Sequence, residues 1–146
     1  MKIKDELLIS AVSVDMIPIM WPIVFGMLEE AVDHSNGELD METIFTKMVK
    51  QEMILVVISE DTDVIAAIAL ERRNFDSGKR ILNVTLAGGT DMNKWVDQLD
   101  RTLVELAKEH RCDDIYIIGR RGWVKVLKSR GYGIIHTVVG KQVEEL

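Results

Sequence analysis

The feature that most limits the fold is a pair of apolar runs, "MILVVIS" at Met53 to Ser59 and "VIAAIAL" at Val64 to Leu70, separated by the turn residues "EDTD". Short runs rich in Val and Ile on either side of a polar turn read as a β-hairpin. A second turn, "NFDSGKR", leads into Ile81 to Leu86, so three strands form an antiparallel meander. A sheet of this kind buries a face against another layer.

Helical periodicity on both sides supplies that layer. Leu7 to Ser13 alternates weakly and is expected to be a first strand. Asp15 offers an N-cap for a helix reaching Val32, with Met20, Ile23, Val24, Met27, Leu28 and Ala31 at helical spacing. Within it, "MIPIMWPIVFGML" is uncharged but shorter than the ~20 residues that span a bilayer. Its apolar residues surround the helix, which points to burial in the core or at a subunit interface. Asp40 caps a second helix with Met41, Ile44, Phe45, Met48 and Val49 as its stripe.

Beyond the meander, Asp91 to Arg111 reads as a long helix with Trp95, Leu99, Leu103 and Leu106 on one face. "DDIYIIG" follows as a strand and "GWVKVLKSR" as a short helix stopped by Gly131, a left-handed cap residue. "YGIIHTVVGKQV" is expected to supply one or two final strands. The class is α/β (α+β): a mixed, mostly antiparallel central sheet, two N-terminal helices, a long central helix and a short C-terminal one. No repeat or linker-like tract divides the chain, so residues 1–146 are expected to form a single domain.

With 47% apolar and 29% charged residues the chain is a compact folder, and its net charge of -6 makes it a poor general nucleic-acid binder. Lys79, Arg80, Arg120, Arg121, Lys125, Lys128 and Arg130 give the second half a cationic bias that suits an anionic small ligand or a solvated surface. Cys112 stands alone, so no intrachain disulfide can form and a reducing, cytoplasmic setting is expected. His34, His110 and His136 are scattered without metal-ligand spacing, and no metal is expected. His136, inside an apolar run, reads as a structural histidine.

The order of elements from Met53 to Val143, and the segments "LVELAKEHRCDDIYI" and "RRGWVKVLKSRGYG", resemble the GNAT superfamily of acyl-CoA N-acyltransferases. The Trp-Pro pair near the start and the Gly-Gly turn before a Trp-bearing helix resemble small GNAT-like proteins of tailed phages. The resemblance implies a sheet splayed at its middle, with acetyl-CoA in the gap and its pyrophosphate at the start of the long helix. Backbone N–H groups and the helix dipole favour an anion there in any case.

At that helix start the family's motif positions fall on Asp91, Lys94 and Val96, none of which matches. Lys94 and Val96 are expected to put side chains where the ligand would lie, and Asp91 to cap the helix and repel phosphate. Leu86, Ala87, Gly88, Gly89 and Thr90, with Lys94 as a point charge and Arg120 from the later helix, form an alternative cofactor cradle. The alternative to a cradle is two glycines turning a corner, capped by Thr90 or Asp91.

Chemistry is sparse. The family's tyrosine acid slot is Leu127 and its asparagine slot is Arg120, both implied by the resemblance. Ile81 to Leu86 offers only Asn83 and Thr85, which leaves Glu71 on the preceding strand as the candidate general base. Trp95 and Trp123 read as core anchors.

Two readings follow. One is an N-acetyltransferase passing the acetyl group of acetyl-CoA to a primary amine. The other is an inactive GNAT-fold phage protein, a virion component or protein-binding module in the virion or host cytoplasm, with the apolar helix available to a partner or a second copy.

Overall fold

A computed structural model of the chain describes residues 7–118 and 121–144. Five strands form one sheet in sequential order: β1 (Leu7–Ala11), β2 (Ile54–Glu60), β3 (Asp63–Asn74), β4 (Arg80–Gly89) and β5 (Asp114–Ile117). The first four are mutually antiparallel, and β5 joins β4 in parallel. That parallel step requires a crossover, which the long helix α3 (Met92–Glu109) provides.

The meander is buried on both faces, which is why its strands read as continuous apolar runs. Leu55, Val57, Ala67, Ala69 and Leu86 face α1 (Ile17–Asp33) and α2 (Met41–Val49), packing with Val24, Leu28, Ile44 and Met48. Val56, Ile58, Ile68, Leu70, Leu82 and Val84 face α3 and its Trp95, Leu99 and Leu103. A short helix α4 (Arg121–Leu127) runs into a single 3-10 turn, Lys128–Arg130, ended by Gly131 at φ 89°.

Helix starts follow local chemistry at one site and depart from it at two. The Asp40 side chain accepts from the Thr43 N–H at 2.8 Å, as a capping residue should. Asp15 does not cap α1: it lies inside a 3-10 turn, Val14–Met16, and the helix proper begins at Ile17 with Pro18 in its first turn. Asp91 occupies the N-cap position of α3 in a left-handed conformation, φ 55°, and its side chain makes no capping bond. The turn is held instead by Trp95, whose indole N–H donates to the Thr90 carbonyl at 2.7 Å.

Two further expectations are corrected. For helix α1 the core alternative is corrected: Ile17, Val24 and Leu28 are in the core while Ile19 and Ile23 are more than half exposed within the chain, because only one side of the helix meets the sheet. Residues 131–144 form no strand. Ile134, Ile135, Val138 and Val139 are exposed, and so is His136, because no sheet edge pairs with their backbone. Local β-propensity alone does not make a strand.

The two glycines at the end of β4 are explained by packing. A Cβ on Gly88 would lie 2.1 Å from the Met27 carbonyl oxygen of α1. One on Gly89, at φ 145°, would lie 2.6 Å from Ala66 on β3. Gly88→Ala is expected to destabilise the fold by about 1–3 kcal/mol, since backbone rather than a flexible side chain must give way. Gly26→Ala, with no neighbour within 4 Å in the middle of α1, should instead stabilise by about 0.4–1 kcal/mol. Chemical denaturation of the two variants checks both signs.

Candidate functional site

The site is a consequence of where the pairing of β4 with β5 stops. Asp113 ties the two starts together, its N–H donating to the Arg80 carbonyl and its carboxylate accepting from the Arg80 N–H. The ladder runs from Ile81 opposite Asp114 to Val84 opposite Ile117, with a last bond from the Ile118 N–H to the Val84 carbonyl at 3.2 Å. Beyond it β4 continues through Thr85 to Gly89, and no strand among the described residues pairs with that edge. The open edge of β4 therefore faces a gap in the sheet.

Two adjoining cavities occupy that gap. One, of about 330 Å³, is lined by Gly88 and Gly89 of β4, Met92 and Trp95 of α3, and Glu30 of α1. The other, of about 250 Å³, has Thr85 and Leu86 of β4, Ile117 and Ile118 at the end of β5, and His34, Ser35, Asn36 and Glu38 from the α1–α2 connection. Ala31, Ala87 and Trp123 line both, so the two meet along β4 under the indole of α4. Helix α4 is held over the gap by its far end. The Arg130 guanidinium bonds Asp97 and the Val126 carbonyl, and the Tyr132 hydroxyl donates to Asp100 at 2.7 Å.

The sequence-derived candidates are distributed unevenly around this gap. Leu86, Ala87, Gly88 and Gly89 line it. Thr90 sits at its rim, its N–H bonded to the Ile65 carbonyl. Lys94 turns away to Glu60 at the end of β2, 3.1 Å distant, and Val96 is buried, so neither side chain stands in the first cavity. The bulky groups there are Met92, Trp95 and Trp123 instead. Arg120 lies outside the described residues.

Glu71 is 13% exposed and ion-paired with Arg73 at 2.7 Å and Lys47 at 3.7 Å. Arg73, not Glu71, reaches the lining of the second cavity. Leu127 is buried. Cys112 is partly buried, and desolvation pushes its thiol upward, away from nucleophilic thiolate character. Among the described residues no group of His, Cys, Asp and Glu suits a metal ion, and no helix is long and apolar enough to cross a membrane.

Sequence reasoning passed over three groups that the fold gathers here. His34 follows α1 and looked isolated because its neighbours in the cavity come from distant strands. Trp123 looked like a core anchor, yet it is the shared wall of both cavities. Thr85, visible as one of the two polar residues in the apolar run Ile81 to Leu86, lines the second cavity.

No family model and no curated protein sequence matches the chain. Solved structures do. A protein described as a predicted acetyltransferase from Clostridium acetobutylicum, solved with acetyl-CoA, superposes with a TM-score of 0.67 at 15% identity, covering 94% of this chain and 96% of its own. The chain has the GNAT fold. An aminoglycoside acetyltransferase from an uncultured soil metagenomic sample gives a TM-score of 0.69 at 11% identity over 96% of this chain and 97% of its own. Ribosomal-protein-alanine N-acetyltransferase from Brucella melitensis biovar Abortus 2308 gives 0.66 at 9% identity over 95% and 100%.

The clamp on α4 yields a pH prediction. Burial first, and the Asp100 carboxylate second, hold the Tyr132 hydroxyl protonated well above the ordinary tyrosine range. An unfolded tyrosine loses its proton near pH 10, so this contribution is complete below about pH 10 and drains away as pH rises further. The melting temperature is expected to fall between about pH 10 and 11, and less steeply in Tyr132→Phe.

Proposed function

We propose that the chain is an acyltransferase that moves an acyl group, acetyl being the simplest, from acyl-CoA to a primary amine. The observation that carries this reading is the gap beside Thr85 to Gly89, a strand edge facing two connected cavities. The pantetheine arm of CoA contains two amides, and an extended amide chain can bond a free strand edge as an added strand does. The first cavity lies at the N-terminal end of α3, where the Asp91 side chain makes no capping bond and the helix dipole is positive. That end suits the pyrophosphate, although Glu30 and Asp91 weaken the local attraction for an anion.

The second cavity would receive the amine. Its lining holds His34, Ser35, Asn36 and Glu38, groups that bind an ammonium and accept its proton. His34 is the better candidate base on position, because Glu71 is already committed to Arg73 and Lys47. The free amine then attacks the thioester carbon, and approximation of the two substrates supplies much of the rate. With Leu127 in place of a tyrosine acid, the departing thiolate would take its proton from water or from the product ammonium.

A second reading is favoured by the exposed stripe Ile19 and Ile23 on α1. There the chain is a GNAT-fold binding protein, such as a virion component or host-directed binder of a tailed phage, and the gap is a relic.

Thermal unfolding separates the readings. Acetyl-CoA at about 100 times its dissociation constant is expected to add about 2.7 kcal/mol of stability. Release of CoA with a panel of primary amines is expected to follow, and His34→Gln to slow it by about 10²-fold or more, the range for a lost general base. Failure of acetyl-CoA to stabilise the protein at millimolar concentration would reject the enzyme in favour of the binding protein.

A further inference from the structure

The second cavity carries two fixed charges of opposite sign, Arg73 from β3 and Glu38 from the α1–α2 connection. Among the described residues no ion pair joins them, so each stays open to a ligand. Glu38 is placed by its own loop. Ser35 holds that loop from both sides, its carbonyl accepting from the Glu38 N–H and its Oγ from the Leu39 N–H, each at 3.2 Å.

Arg73 is placed by the sheet. Ala67 and Ala69 turn toward α1 and α2, and the two-residue period of β3 carries Glu71 and Arg73 to the same face. There one carboxylate is shared between two cations. Arg73 reaches Glu71 through Nε at 2.8 Å and Nη2 at 2.7 Å, and Lys47 of α2 reaches it at 3.7 Å. The cluster therefore keeps one positive charge. The remaining guanidinium nitrogen, Nη1, bonds no described residue.

A net positive wall is at odds with a simple amine. At neutral pH the acceptor enters as an ammonium, which that wall repels. An acceptor that also carries a carboxylate turns the repulsion into attraction, because a guanidinium fork matches a carboxylate's two oxygens.

We propose that the acceptor is an amino acid, its carboxylate held by Arg73 and its ammonium turned toward His34 and Glu38. The inference rests on the acyltransferase reading and names its substrate class. A cavity of about 250 Å³ suits a molecule of that size. The carboxylate takes no part in bond making. The C–N bond forms and the C–S bond breaks with its pair on sulfur; of the two protons the ammonium loses, one reaches the thiolate and one leaves through His34. The product has no ammonium for Glu38 to hold, which favours its release.

The test compares matched pairs. Glycine, alanine, serine, lysine and glutamate are each assayed beside the corresponding amide, which keeps the ammonium and lacks the α-carboxylate, with CoA release giving kcat/KM. At least one amino acid is expected to exceed its amide by about tenfold or more. Arg73→Gln is expected to cut that ratio by about 10- to 100-fold, the scale of a charge-assisted hydrogen bond, chiefly through KM. Arg73→Lys, also the substitute should the glutamine variant not fold, is expected to keep part of the preference, since it retains the charge without the fork. Glu38→Gln is expected to weaken both members of a pair alike, because both carry the ammonium. Calorimetric titration of the same pairs into the protein saturated with CoA reads the contact without turnover and is expected to show the same order. Equal use of amino acids and amides by the parent, or equal losses for both in Arg73→Gln, would overturn the proposal and leave the acyltransferase reading intact. So would a preference for aminoethyl phosphate over every amino acid. If acetyl-CoA does not bind the parent at all, both fall together.

Discussion

The early end of the β4–β5 ladder is the constraint on which the rest of the molecule depends. Four paired positions, from Ile81/Asp114 to Val84/Ile117, hold β5 to the sheet, and the Asp113–Arg80 bonds fix where that pairing begins. Past Val84 no strand among the described residues pairs with that edge of β4. Both cavities and the seat of α4 are arranged around that unpaired length.

The gap is kept open by its neighbours. Backbone-to-backbone contact at Gly88 brings α1 close enough for Ala31 and Glu30 to form one wall. On the other side Trp95 holds the turn into α3 and fills the space beneath it. Helix α4 carries Trp123 over the junction, and its end is clamped to α3 through Asp97 and Asp100. These contacts place the cavity walls on rigid elements, which is where a binding site gains precision.

The glycine pair shows how a motif's look and its physical cause separate. Two glycines before a helix resemble a phosphate loop, yet each is required here by a protein neighbour, Met27 in one case and Ala66 in the other. Their lack of side chains still opens the first cavity, so a packing requirement and a ligand-sized space coincide. Asp91 carries the converse lesson. Read as a capping acid, it instead adopts a left-handed backbone with its carboxylate off the helix end, because the indole of Trp95 already holds the turn.

Much of the fold was legible because it depends on local periodicity and turn chemistry. The hairpin of β2 and β3, the amphipathic face of α3, the Asp40 cap and the Gly131 stop each rest on residues adjacent in the chain. The site was legible only in part: the β4 segment Leu86 to Gly89 could be marked, but not His34, Trp123 or Arg73, which converge from separate elements. Nor could the sequence show that Lys94 turns to Glu60 or that the strand-like "IIHTVV" stays unpaired. Apolar pattern and backbone propensity act over a few residues and so determine elements. Pairing partners, the end of a ladder and the direction of a side chain are set by neighbours far away in the chain, and only the assembled tertiary structure decides them.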